Sequence, residues 1–210
     1  MDLLRVYENF LKEFGPQGWW PIERKFEPKE WEICLGAILT QNTNWKNVEK
    51  ALDNLENAGL RTPEDIVRTP IRKLERIIRP SGFYKQKAKR LKALAEFVVK
   101  FGGFEEFKRG VKREELLKVK GIGFETADSI LLYACERLHF VVDAYTKRLV
   151  RHMGLDRKFG LKMDYESLRK FFEKNLPKDV SLYKEFHALI VEWGKREAKG
   201  KALYRISVKN

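Results

Sequence analysis

The sequence predicts an all-α protein, and three observations carry that expectation. Apolar residues recur at intervals of three and four, as in Leu3, Leu4, Tyr7, Phe10, Leu11 and Phe14. Helix punctuation is frequent: Thr62-Pro63 and Thr69-Pro70 each set a capping hydroxyl before a first-turn proline. No segment shows a convincing alternation of apolar and polar residues, so strands are not expected.

The elements follow in order. The first helix runs from Leu3 until Gly15-Pro16 stops it. A second follows Pro28 and carries Trp31, Cys34, Leu35, Ile38 and Leu39. Residues 44–58 read as a third, ended by Gly59, and two short helices begin at the Thr-Pro pairs. A long helix is expected over 85–101, stopped by Gly102-Gly103. Helices over 112–119 and 124–137 then flank Lys120-Gly121-Ile122-Gly123, and three more are expected over 144–153, 164–175 and 179–197.

Composition narrows the classes. The 210 residues are 43% hydrophobic and 12% aromatic, which suffices for a real core. Lysine and arginine number 43 against 30 acidic residues, a formal charge of +13 that fits a polyanionic partner. Cys34 and Cys135 stand singly in apolar runs and His139, His152 and His187 are scattered, which argues against a zinc site and fits a reducing cytoplasm. The acidic residues Asp2 and Glu8 in the first helix do not read as a secretory leader, and no apolar run is long enough to span a bilayer.

The segment Leu117-Lys118-Val119-Lys120-Gly121-Ile122-Gly123-Phe124 is the most specific signal. Two glycines bracketing one aliphatic residue between helices form a tight turn whose amides, beside a helix start, can seat a phosphate oxygen. Asp143, after the apolar pair Val141-Val142, supplies a carboxylate downstream. Asp143 also reads as an ordinary helix cap.

Four landmarks in order carry a family resemblance: Gly36-Ala37-Ile38-Leu39-Thr40-Gln41-Asn42-Thr43, Gly82-Phe83-Tyr84-Lys85-Gln86-Lys87-Ala88, Lys120-Gly121-Ile122-Gly123 and Val141-Val142-Asp143. The chain resembles the endonuclease III-like DNA glycosylases of the HhH-GPD superfamily from about residue 28 to 155. The resemblance implies two helical domains flanking a DNA cleft, one over 25–138 and one combining 1–24 with 139–210. It implies that double-stranded DNA with a damaged base is the partner, that the damaged nucleotide flips into the cleft, and that a monomeric cytoplasmic enzyme acts in base excision repair. Gln41, Lys120, Gly121 and Gly123 are then DNA-binding residues, with Gln41 filling the gap left by flipping. The carbonyls of Leu117, Val119 and Ile122 match the family's monovalent cation site for Na⁺ or K⁺.

Two departures refine the expectation. No cysteine follows Cys135, so the family's four-cysteine iron–sulfur cluster is not expected, nor is any required cofactor. Glu125 stands where bifunctional relatives carry a Schiff-base lysine, which implies a monofunctional glycosylase with Asp143 as its catalytic group. Gly18-Trp19-Trp20-Pro21, the segment through Trp45, and the tail reaching Lys195 look like the cluster-free 3-methyladenine DNA glycosylases. Trp19, Trp20, Trp45 and Lys195 are thereby the expected base pocket, for alkylated purines. The other readings are a glycosylase for oxidised or mismatched bases, or a helix–hairpin–helix DNA-binding module without catalysis. The basic residues Lys85, Lys87, Lys89 and Arg90 read mostly as a solvated helix face.

Overall fold

The computed structural model describes residues 3–198, and every regular element among them is helical. The chain divides into two compact units, one of Trp20–Cys135 and one of Met1–Trp19 with Glu136–Asn210. Residues 199–210, assigned above to the second domain, lie outside the described residues.

The first unit holds α2 (Trp31–Leu39), α3 (Trp45–Asn57), α4 (Pro63–Arg68), α5 (Ile71–Ile77), a 3₁₀ turn (Arg79–Ser81), α6 (Tyr84–Lys100), α7 (Phe104–Gly110), α8 (Arg113–Leu116) and α9 (Phe124–Ser129). Every residue of α2 is buried, so it forms the centre against which α3, α6 and α9 pack. Trp31 is fully buried there, as its place on the apolar face required. Glu32 is a buried charge in this helix, and Arg24 answers it at 2.7 Å.

The local starts and stops have identifiable causes. Thr62 caps α4 by accepting from the Asp65 amide at 3.1 Å, and the Asp65 carboxylate accepts from the Thr62 amide at 3.0 Å. Thr69 behaves otherwise than expected. Its hydroxyl donates backwards to the Asp65 carbonyl at 2.7 Å, closing α4, and Pro70 itself precedes α5. The helix expected over 112–119 is only α8, and the one over 124–137 widens after Ser129 into a π-helical turn, Ile130–Ala134. Arg113 and Asp128 join the two helices of the hairpin through two bonds of 2.6 and 2.9 Å. The helix α7 and, in the second unit, the one over Leu155–Phe159 were not foreseen; both are short, of seven and five residues, and follow glycines.

The second unit holds α1 (Leu3–Phe14), α10 (Ala144–His152), α11 (Leu155–Phe159), α12 (Tyr165–Asn175) and α13 (Val180–Ala198). The long α13 is the spine, touching both α1 and α10. Aromatics fill this core: Phe10 stacks on Trp193 at 6.1 Å and Phe140 on Phe172 at 4.4 Å. Gly194 permits close passage of α10, because a Cβ there would fall 2.2 Å from Tyr145 Cδ1.

Candidate active site

Asp143 begins α10. Its Oδ1 accepts from the Thr146 amide at 2.7 Å and from the Thr146 hydroxyl at 2.9 Å. The capping reading is therefore correct, yet it occupies one oxygen only. Oδ2 stands 3.7 Å from Nε2 of His187 on α13, and the Asp143 side chain keeps 14% of its surface exposed. Burial, the largest influence, raises the pKa of this carboxyl. The His187 imidazole and the Thr146 donors overcome that and hold it below the ordinary carboxylate value. The group is ionised at neutral pH and partly open to a ligand.

The same unit gathers more of the expected site. Trp19 meets His187 edge-on with ring centroids 6.0 Å apart, and the Lys195 ammonium lies 5.5 Å from the Trp19 centroid. Asp143, His187, Trp19 and Lys195 thus form one chain of contacts in the second unit. Trp20 and Trp45 belong to the first unit, where their rings meet edge-on at 5.4 Å. Tyr133, from the π-helical turn, makes the same contact with Trp20. Gly36 leaves room for this indole, since a Cβ would fall 2.9 Å from Trp20 Cζ2.

The hairpin assembles as a unit of its own. Gly121 has φ of 89° and lies so close to α6 that a Cβ would meet Arg90 Cγ at 2.3 Å. Gly123 differs from expectation: its φ of −98° is ordinary extended backbone, and no atom lies within 4 Å of a Cβ there. That glycine leaves space for an approaching ligand rather than relieving strain. Lys120 at the tip is exposed. The Ile122 amide donates to the Val119 carbonyl at 3.1 Å, while the Leu117 and Ile122 carbonyls accept no hydrogen bond. Their free lone pairs are compatible with a hard cation.

Gln41 is anchored, not solvated. Its side-chain amide donates to Thr126 Oγ1 at 2.9 Å, and Arg90 donates to its carbonyl. Lys87 also corrects the sequence reading. It is 1% exposed, and its ammonium donates to the Leu39 carbonyl at 2.8 Å and the Ser81 carbonyl at 2.6 Å. Those carbonyls each lie two residues before Gln41 and Phe83, so one buried cation ties together the bases of two loops. Phe83 is 64% exposed with a φ of 44°, unusual for an aromatic.

Sequence reasoning gave no such place to His187 in the second unit or to Tyr133, Lys87 and Phe83 in the first. A single histidine or tyrosine inside an apolar helical run carries no mark distinguishing it from core. Phe83 carried one faint signal, a large aromatic placed directly after a turn glycine.

A helix–hairpin–helix with a glycine turn, a glutamine loop beside it, and an ionised aspartate capping a later helix define a base-excision DNA glycosylase. The chain belongs to the HhH-GPD superfamily of base excision DNA repair proteins, whose model matches residues 35–178. It is 47% identical over 207 residues to a protein of Methanocaldococcus jannaschii that bears a provisional description as a DNA repair glycosylase, covering 96% of this chain and 90% of that one. It is 29% identical to endonuclease III of Thermotoga maritima, over 82% of this chain and 76% of that one. The crystal structure of the H. pylori 3-methyladenine DNA glycosylase MagIII bound to 1,N6-ethenoadenine superposes with a TM-score of 0.81. Identity there is 36%, covering 94% of this chain and 99% of the other.

Proposed function

We propose that this protein is a monofunctional glycosylase that hydrolyses the N-glycosidic bond of alkylated purines, 3-methyladenine foremost. The observation that carries the reading is the Asp143 carboxylate, capped through Oδ1, kept ionised, with Oδ2 outside the cap and the side chain 14% exposed. As the glycosidic bond breaks, its electron pair leaves with the base and positive oxocarbenium character develops on the deoxyribose. The carboxylate stabilises that charge, and water adds to the sugar carbon while Asp143 accepts its proton. A purine methylated on a ring nitrogen is already cationic and departs neutral, so no strong general acid is needed.

The aromatic side chains supply selectivity. An indole face attracts a cationic base by about 0.5–2 kcal/mol per favourable contact, two- to thirty-fold in preference. Trp19 already holds the Lys195 ammonium in this manner. In an opened duplex Gln41, released from Thr126 and Arg90, would pair with the orphan base, and the exposed Phe83 would wedge between base steps. Gly121, Gly123 and Lys120 receive a backbone phosphate at the hairpin. The Leu117, Val119 and Ile122 carbonyls are suited to a Na⁺ or K⁺ that would stiffen the turn for that phosphate.

The deciding experiment measures free base released from duplexes carrying 3-methyladenine, thymine glycol or uracil. Release from the methylated duplex alone is expected. Release only from thymine glycol or uracil would replace this reading with one for oxidised or deaminated bases. Because Glu125 stands in place of a lysine, abasic DNA is expected to remain unnicked and no adduct to be trapped by borohydride.

A further inference from the structure

A cavity of about 520 Å³ lies where α5, the 3₁₀ turn and the start of α6 meet, lined by Arg72, Glu75, Arg76, Arg79, Tyr84 and Lys85. None of its lining residues belongs to the hairpin. The four cations are exposed, and among the described residues none of them enters an ion pair. That sets them against Arg24, Arg68, Arg109, Arg113, Arg148, Arg169 and Arg196, all of which have carboxylate partners. The one acid in the lining, Glu75, lies within bridging distance of none of the four. Arg79 rests its guanidinium 6.0 Å from the Tyr84 centroid, which fixes its plane while leaving its donors open. Converging cations with unspent donors are a seat for an oxyanion.

The position selects which anion. The exposed Phe83 lies in sequence between Arg79 and Tyr84 of the cavity wall. Along α6, Lys85 precedes Arg90, on which the hairpin glycine rests, by five residues, a rise of about 8 Å. That is the axial advance of two to three nucleotides of one strand, at about 3.4 Å each. A strand running along α6 from the hairpin would reach this corner of the same helix. We propose that the cavity seats a backbone phosphate of duplex DNA a few nucleotides from the one held at the hairpin, a second electrostatic clamp flanking Gln41 and Phe83. The proposal rests on the glycosylase reading for its partner only.

Fluorescence anisotropy of undamaged duplex, titrated from about 50 to about 300 mM salt, tests it. The double variant Arg76→Gln/Arg79→Gln is expected to weaken binding and to lower the magnitude of the log K against log salt slope by about 1 to 2. Lys85→Gln is expected to lower it by up to about 1. Arg68→Gln, which removes a cation already paired with Asp65, is expected to leave the slope unaltered. An unaltered slope in the double variant, or an equal fall in Arg68→Gln, would overturn the assignment. So would saturable binding of inorganic phosphate at Arg76 and Arg79 alongside an unaltered slope, which would make this a free-anion site. Base release by the unsubstituted enzyme reports separately on the glycosylase reading.

Discussion

At Asp143 one carboxylate oxygen caps a helix and the other, in the proposed reaction, faces the sugar, and substitution separates the two. Asparagine caps a helix about as well as aspartate, so Asp143→Asn is expected to change stability by less than about 0.5 kcal/mol. Removing the charge that faces the developing oxocarbenium should lower the rate of base release by about 10²–10³-fold. Single-turnover kinetics with thermal denaturation checks both; activity within a few-fold of normal would remove Asp143 from the chemistry. The sign of its pKa shift gives a second expectation. A carboxyl held below its ordinary value keeps its charge further into acid, and the stability it contributes is lost only as pH falls through that lowered value. Enzymatic base release, corrected for spontaneous depurination, should therefore show no acidic limb from this group above about pH 4. Asp143 was legible because it follows a buried apolar pair and opens a helix. His187 was not, because its partner lies 44 positions away in sequence and only the packing of α13 on α10 brings the two together.

Helices set the spacing of the loops, and Lys87 shows how. A run of four cations on α6 reads as a solvated face, since nothing in a sequence names a main-chain carbonyl as a lysine's partner. Folding turns Lys87 inward, where desolvation, with a smaller contribution from Arg90, lowers its pKa from 10.5 to about 8. The unfolded chain then holds a proton that the folded protein lacks between those values, so this residue makes stability rise with pH across that window. Lys87→Met should flatten that rise in denaturation curves between about pH 8 and 10. It should also destabilise the protein near neutrality by about 2 kcal/mol or more, because the Leu39 and Ser81 carbonyls lose their donor. Gly36 is the corresponding constraint on α2. A methyl at Gly36→Ala would press on the Trp20 ring. Tryptophan emission should change and base release from methylated DNA should fall about ten- to hundredfold, the effect of displacing a binding group by an ångström. The helical class and most helix ends were readable from caps and glycines. The π-helical turn that presents Tyr133 was not, because an apolar run of that length has the same composition in either helical form.

For the molecule as a whole, charge is the property that the sequence states most directly and the fold distributes. The excess of 43 basic over 30 acidic residues leaves +13. Much of the acidic complement is consumed internally, as Glu32 and Asp128 are by Arg24 and Arg113 in the core of the first unit. Arg72, Arg76, Arg79 and Lys120, which have no carboxylate partner among the described residues, lie at the surface. Family and hairpin were legible because glycine spacing is a backbone requirement written in the chain itself. Which cations stay unpaired was not, because ion pairing is decided by distances that only the fold creates. A surface of that kind binds the DNA backbone by releasing condensed counterions, and each neutralised phosphate adds about 0.9 to the salt slope. Affinity for undamaged duplex should consequently fall by at least about a hundredfold between 50 and 200 mM salt. If the proposed stacking on indoles carries the preference for a methylated site over an undamaged one, that preference should stay nearly constant over the same range. A preference that collapsed in parallel with affinity would mean that lesion recognition is itself electrostatic, and the aromatic side chains would lose their assigned role.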